Sequence, residues 1–140
     1  MRANDAIRPW HSRYGDGLAE RWLRVLPLVC YLSFIFIVSS VPGGDLAAVA
    51  DDRLEHFGEY FVLGWLLILA LAGFTPTGVG KVHYASAWMV GVAYAVSDEL
   101  HQSFVPHRDA SFGDVAFDSL GLTVALAVIA FLMRIRMEPS

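Results

Sequence analysis

The stretch that decides the fold is residues 25–44, VLPLVCYLSFIFIVSSVPGG, which carries no charged side chain over 20 consecutive positions. A second uncharged stretch, YFVLGWLLILALAGFTPTGVG, occupies residues 60–80. A transmembrane helix needs about 20 mainly apolar residues to cross a hydrocarbon core of about 30 Å. Both stretches therefore predict membrane-spanning helices, over residues 25–44 and 57–75.

Two shorter uncharged segments follow, at residues 84–97 and 119–133. Extended to the length that a span needs, they predict helices over residues 84–104 and 114–133, each with a polar end. The chain is 56% hydrophobic and 17% charged, against about 45–50% and about 25% in soluble domains. The sequence thus predicts an all-α integral membrane bundle of four transmembrane helices, one domain over residues 25–134, with tails at 1–24 and 135–140.

The orientation follows from the ten Lys and Arg residues, of which only Arg53 and Arg108 fall on the side of the predicted spans opposite the two tails. Because cytoplasmic segments carry the excess of Lys and Arg, both tails are expected to be cytoplasmic. A cleaved signal peptide ending near Ala50 is the rival interpretation, but the apolar run is too long and ends well before Ala50. No basic stripe is present, so a nucleic-acid partner is excluded.

Polar residues of three predicted spans converge on the non-cytoplasmic end. Within a helix, a spacing of four residues puts Asp52, His56 and Tyr60 on one face. Asp98 and Gln102 are predicted to share a face of the third helix in the same way. A carboxylate at membrane depth costs about 2.5–3.5 kcal/mol on insertion scales, so several together favour a functional site. The candidate ligand-binding residues are Asp52, His56, Tyr60, Asp98, Glu99, Gln102, Arg108, Ser111, Asp114 and Asp118.

A purely structural role is the alternative for this convergence, with His56, Arg108 and Gln102 satisfying the acids and holding the bundle together. Small residues also predict where the helices approach one another. Gly91 and Gly121 lie on the third and fourth predicted helices, and Ala95 follows Gly91 by one turn. Such residues allow close helix contacts in membranes.

Two motifs resemble those of the VanZ-like family. The first, Asp52-Arg53-x-x-His56-x-x-x-Tyr60-x-x-Leu63-Gly64, resembles the opening of that family's second helix. The second runs Asp98-Glu99-x-His101-Gln102-x-Phe104-x-Pro106-x-Arg108-x-x-Ser111-x-x-Asp114-x-x-x-Asp118-x-x-Gly121. The chain departs from the family pattern twice, with Arg53 where Lys is usual and Asp118 where Asn is usual. The second departure adds a possible charge.

The resemblance implies a multi-pass protein of the bacterial cytoplasmic (inner) membrane with a four-helix fold. Its name-giving member is associated with resistance to glycopeptide antibiotics, chiefly teicoplanin. The charge distribution places the polar site on the periplasmic or exterior side. The expected partners are membrane lipids and a lipid-linked or peptidoglycan-related ligand of the cell envelope.

The polar cluster suits three functions. In the first, an envelope binding or accessory protein, Arg108 and His56 hold an anionic group such as a lipid-linked phosphate or a peptide carboxylate. In the second, a membrane-embedded hydrolase or transferase, the candidate catalytic residues are His56, Glu99 and Asp98. The third, a proton-coupled transporter, ranks last because the cytoplasmic halves of the third and fourth spans are apolar and give no continuous polar path.

In the enzyme hypothesis, His56 is a general base oriented by Asp52 or Asp98, and Glu99 is an acid or a metal ligand. No known nucleophile or zinc motif accompanies them. A divalent metal is the one cofactor that the residue types suggest, because carboxylates and imidazole suit Mn, Mg or Zn. Its candidate ligands are His56, Asp98, Glu99 and Asp114.

Overall fold

The computed structural model of the chain describes residues 18–42, 52–73 and 79–137. These residues form four α-helices, in chain order α1 (Leu18–Ser39), α2 (Asp52–Ala72), α3 (Lys81–Gln102) and α4 (Phe112–Met137). Turns, bends and irregular segments make up the rest of the described chain. The predicted all-α fold is confirmed.

Three of the helices are long and apolar enough to cross a membrane, over Glu20–Ser39, Arg53–Ala72 and Phe112–Ile135. Their outward surfaces are apolar, as shown by Leu23 of α1 and Phe131 of α4, which are 67% and 64% exposed. Soluble monomers rarely expose contiguous apolar patches above a few hundred Å². An apolar exterior around buried acids is the arrangement that a hydrocarbon environment favours.

The helices depart from the predicted spans at both ends of the bundle. α1 ends at Ser39, whereas the predicted span continues to residue 44. Pro42 explains the difference, because a proline disfavours the α conformation at the residue before it. α3 ends at Gln102, short of the predicted residue 104, where the chain turns. At the other end, α1 and α4 run past the uncharged segments, since a helix can continue beyond the hydrocarbon core.

Each helix runs antiparallel to the next, and α2 and α4 form the most extensive pair. Near one end of the bundle, the Tyr84 hydroxyl at the start of α3 donates to Met133 Sδ at the end of α4 at 3.4 Å. Near the other, Ser39 at the end of α1 contacts Asp98 at the end of α3. The end of α1, the start of α2, the end of α3 and the start of α4 therefore lie together.

Small residues set how closely the helices approach. A Cβ on Gly121 would lie 2.3 Å from the carbonyl oxygen of Phe57, so only glycine permits this contact between α4 and α2. A Cβ on Gly91 would lie 2.6 Å from the Leu122 side chain, and Ala95 is 0% exposed. The predicted positions of Gly91, Ala95 and Gly121 at helix contacts are confirmed.

The interior is apolar along most of the bundle and polar at one end. Ile35, Leu63, Leu122 and Ile129 belong to the apolar core. The buried polar side chains are instead contributed by the helix ends that lie together. They are Ser39, His56, Asp98, Glu99, Gln102, Asp114 and Asp118.

Candidate functional site

The first buried acid of the site, Asp98, joins α3 to α1. Its Oδ1 accepts a hydrogen bond from Ser39 Oγ at 2.7 Å, and its Oδ2 accepts one from Gln102 Nε2 at 3.1 Å. Gln102 lies four residues along the same helix, so the predicted shared face of Asp98 and Gln102 is confirmed. Both carboxylate oxygens are thus engaged, and the last residue of α1 is held against α3.

A second buried pair joins α2 to α4. His56 Nδ1 lies 3.0 Å from Asp118 Oδ1, and the two residues are 6% and 1% exposed. Because an ionised carboxylate only accepts hydrogen bonds, Nδ1 carries the proton when Asp118 is charged. The sequence proposes Asp52 or Asp98 as the residue that orients His56, and the structure supplies Asp118 in that position. The side chain of Asp52 lies outside the described residues.

Glu99 follows Asp98 in the chain but contacts the start of α4. Its Oε2 accepts a hydrogen bond from the Ser111 amide at 2.7 Å, and Ser111 Oγ accepts one from the Gly113 amide at 3.1 Å. Its Oε1 is buried and has no hydrogen-bond partner among the described residues. A buried polar atom without a partner costs its full desolvation energy, so Oε1 is a position where a ligand is expected.

Two more predicted site residues are buried at this end of the bundle. Tyr60, one turn after His56, is 0% exposed, and its hydroxyl likewise has no partner within the described part of the chain. Asp114 is 7% exposed and lies in the first turn of α4. A carboxylate there is stabilised by the positive end of the helix dipole.

Arg108 reaches from the loop between α3 and α4 to the end of α1. Its Nε and Nη2 donate to the carbonyl oxygens of Val41 and Val38, at 3.3 and 3.4 Å. His107 before it has a φ of 61°, a left-handed conformation that is uncommon outside glycine. A cation beside the last carbonyls of a helix is favourable. The guanidinium therefore has a structural use, beside the anion-binding role that the sequence predicts.

A small polar cavity of about 20 Å³ lies between α1, α2 and α3. This volume holds about one water molecule or a small ion. Carboxylates outnumber cationic groups along its wall, so the cavity favours donors or cations over anions. Its lining residues are Val38, Ser39, Glu55, His56, Glu59, Asp98, Gln102 and Arg108.

A larger groove of about 260 Å³ lies between the end of α3 and the start of α4, and its walls are mostly apolar. Phe112 forms part of it and is 98% exposed. Glu99 is the one ionisable residue in its lining, which consists of Val96, Glu99, Leu100, Ser103, Ala110, Phe112 and Val115. Glu99 therefore belongs both to the groove and to the buried polar cluster.

Three buried residues bring together atoms that commonly ligate metals. One such atom each from His56, Glu99 and Asp118 lies within 4.8 Å of the other two. His56 and Glu99 are among the predicted metal ligands, whereas Asp98 and Asp114 lie outside this group. Asp118 completes it instead. The spacing of polar residues along each helix predicts that faces of α2, α3 and α4 converge. It does not specify how each helix is rotated about its axis, which decides which acids meet.

The predicted site omits Ser39, Glu55 and Glu59, which line the polar cavity. A signal for Ser39 exists in the sequence, because two serines end the first apolar stretch at the same boundary as the acids. Glu59 could have been found as one more carboxylate near the start of the second span. The signals for Ser39 and Glu59 are weak, because each is a single polar residue close to a long apolar run.

The fold and the site define the class as an all-helical membrane protein with a buried acidic site where the ends of its four helices lie together. Within that class, the chain belongs to the VanZ/LLP1 family, whose model matches residues 24–134. The match covers nearly all of the four helices and confirms the resemblance carried by the two sequence motifs. No curated protein and no solved structure matches the chain significantly.

Proposed function

We propose that this VanZ/LLP1-family chain is a four-span protein of the bacterial cytoplasmic membrane whose acidic site faces outwards and binds a lipid-linked ligand of the cell envelope. The observation that carries the proposal is the position of Glu99. Its side chain lines the apolar groove, while one of its carboxylate oxygens is buried without a partner. A ligand with an apolar chain and a polar head satisfies both surroundings.

Connectivity supports four spans with both termini in the cytoplasm. His56 and Asp118 pair near the starts of α2 and α4, so these two helices cross in the same direction. The chain has to return between them, and α3 is the segment that does so. Its 22 residues measure about 33 Å at about 1.5 Å per residue, enough for a core of about 30 Å. The excess of Lys and Arg at the other end favours an outward-facing polar site.

The groove supports a lipid as the ligand. It opens on the bundle surface beside Leu100 and Phe112, which are 63% and 98% exposed and suited to hydrocarbon. A chain from the bilayer can reach it sideways without leaving the apolar phase. A chain that enters from the bilayer leaves hydrocarbon and not water, so its burial adds no hydrophobic driving force. Its packing against the groove therefore decides the selectivity.

The residues that line the polar cavity restrict which chemical groups the head of the ligand can carry. Glu55, Glu59 and Asp98 line the cavity together with Arg108, two of whose nitrogen atoms donate to carbonyl oxygens at the end of α1. The cavity has room for one small group, and carboxylates accept hydrogen bonds, so a single hydroxyl, amide or ammonium group of a lipid-linked head suits it. A phosphate fits only when a cation accompanies it, since like charges repel.

Lipids retained through purification test the proposal. Wild-type protein, extracted in mild detergent, is expected to retain one class of lipid-linked envelope molecule above its share of the membrane, measured by mass spectrometry. Ala110→Phe fills the groove and should lose that enrichment. Ala93→Phe, at an exposed position of α3 outside the groove, is the matched control and should keep it. If all three proteins retain lipids in the proportions of the bulk membrane, ligand binding is contradicted.

One observation favours an enzyme as the second candidate. The buried hydrogen bond between His56 and Asp118 is the arrangement that orients a general base, and Glu99 lies close enough to act as an acid. Here the retained lipid is the substrate of a hydrolase or transferase. Incubation of the purified protein with that lipid should change its mass, and His56→Gln should abolish the change. If the mass of the lipid does not change, the protein binds the lipid without modifying it.

A contribution to glycopeptide resistance, chiefly to teicoplanin, is the cellular part of the proposal. Expression of wild-type protein in a susceptible bacterium is expected to raise the minimal inhibitory concentration of teicoplanin. Glu99→Gln should remove this effect at an equal membrane level, checked by immunoblot, and Ala93→Phe should not. Equal susceptibility with and without the wild-type protein contradicts this part and leaves lipid binding standing.

A further inference from the structure

We infer that His56, Glu99 and Asp118 together hold one divalent transition-metal ion, Mn²⁺ or Zn²⁺, between α2, α3 and α4. The inference deepens the proposed function, because it names a cation that the same site would offer to a lipid-linked ligand. Only the role of that ligand rests on the proposed function. The ion itself is argued from the geometry, burial and chemistry of the three side chains.

The geometry is close to that of a bound ion. Ligand atoms about 2.0–2.2 Å from one metal ion lie about 3 Å apart when they are at right angles. His56 Nδ1 and Asp118 Oδ1 are 3.0 Å apart, and an ion bound between them would replace the proton of their hydrogen bond. All three candidate atoms lie within 4.8 Å of one another. The separation of 4.8 Å exceeds this spacing by roughly 1–2 Å, so the side chains have to draw together when the ion binds.

A second observation points to a ligand independently of the clustering. Glu99 is 6% exposed, and its Oε1 has no hydrogen-bond partner within the described residues. The other oxygen is held by the Ser111 amide at 2.7 Å, which fixes the carboxylate beside α4. Such an outer contact orients a ligating carboxylate. Oε1 is thus positioned and buried, but unsatisfied.

Charge balance also favours a divalent cation. Glu99 and Asp118 carry two negative charges when ionised, at 6% and 1% exposure, with the His56 imidazole beside them. Two like charges at this separation repel strongly where water is scarce. A doubly charged ion cancels them, and no Lys or Arg of the described residues forms an ion pair with either acid.

The donor set indicates which ions fit. Mg²⁺ and Ca²⁺ prefer sites made entirely of oxygen, whereas one imidazole nitrogen with two carboxylates suits Mn²⁺ or Zn²⁺. Three protein ligands leave at least one coordination position for an outside group, as in catalytic zinc sites. A phosphate of the lipid-linked ligand would take that position and gain the cation that the acidic lining otherwise denies it.

Metal binding is measured first with the metal alone, on chelator-treated full-length protein in detergent. Isothermal titration with MnCl₂ and with ZnCl₂ should show one ion per chain for wild-type protein, and the ion should raise the melting temperature. Glu99→Gln and Asp118→Asn should each weaken binding at least about tenfold, since loss of even an outer contact costs about 10–100-fold. Asp109→Asn, an exposed acid of the α3–α4 loop, should bind as wild type does.

The following outcomes would overturn the inference. Absence of stoichiometric Mn²⁺ and Zn²⁺ binding by wild-type protein overturns the inference, whatever the variants do. Equal binding by wild type, Glu99→Gln and Asp118→Asn overturns it as well. Loss confined to Asp98→Asn places the ion elsewhere. Helical circular dichroism and a single elution peak exclude misfolding of a variant, and His56→Gln provides a third test. Because no lipid is added, failure here is distinct from failure of lipid retention.

Discussion

Asp98 and Glu99 are consecutive acids of α3, 5% and 6% exposed, and they differ in what their oxygens contact. Asp98 faces α1, and both of its oxygens accept hydrogen bonds. Glu99 faces α4, where one oxygen accepts a hydrogen bond and the other has no partner in the described chain. Neighbouring helical residues point about 100° apart. One turn of α3 therefore presents a structural face and a candidate binding face.

The largest effect on stability is expected at Asp98. Asp98→Ala leaves Gln102 Nε2 buried without its acceptor and removes the contact from Ser39, so it should lower the free energy of unfolding by about 1–3 kcal/mol. Reversible unfolding in mixed detergent and dodecyl sulfate micelles, followed by circular dichroism, measures the change. Asp109→Ala in the exposed loop is the control. A loss below about 0.5 kcal/mol, the size of an ordinary surface change, would make the Asp98 face no more structural than the Glu99 face.

A double-mutant cycle sharpens the same point. Ser39→Ala and Asp98→Asn should be non-additive by about 0.6 kcal/mol and by no more than about 1.7 kcal/mol, the average and the maximum for hydrogen bonds between helices in membranes. Ser33→Ala combined with Asp98→Asn is the matched control, because Ser33 is an exposed serine of α1 that bonds only its own helix. Additivity of both pairs would show that the 2.7 Å contact does not hold α1 to α3.

Much of this comparison follows from the sequence. Uncharged lengths predict the helices, and spacing of four predicts that Asp98 and Gln102 share a face, which the structure confirms. Gly121 is likewise predicted at a helix contact, because only a small residue lets backbones meet. These features depend on positions within one helix or on one residue's size, and both can be read locally.

Contacts between side chains of different helices cannot be read from the local sequence. The pairing of His56 with Asp118, the contribution of Ser39 and the reach of Arg108 to α1 depend on the rotation of each helix and on loop geometry. Hydrophobic periodicity does not specify either. Counting uncharged residues also places the end of the first span too late, because charge marks the limit of hydrocarbon while Pro42 ends the helix.

A smaller effect is expected on the α1 side of the loop. Arg108→Lys should lower the free energy of unfolding by about 0.5 kcal/mol, because a lysine cannot reproduce the two donors but keeps a charge near the helix end. Both contacts are long, at 3.3 and 3.4 Å, which limits the loss. Arg134→Lys, at an exposed position near the end of α4, serves as control. Loss of the retained lipid without loss of stability would instead assign Arg108 to ligand binding.

The smallest effect on stability, and the sharpest contrast with Asp98, is expected for Glu99→Gln in chelator-treated protein. The amide oxygen still accepts from Ser111, while the new amino group is a donor that can reach the Asp118 carboxylate, so an unsatisfied charge becomes a satisfied neutral group. Its free energy of unfolding should match wild type within about 0.5 kcal/mol or exceed it, because binding sites trade stability for activity. Retention of the lipid should nevertheless be lost. A fall of more than about 1 kcal/mol in the same micelles would show that Glu99, like Asp98, holds the bundle together, and the unpartnered oxygen would then mark a strained structural contact rather than the place of a ligand.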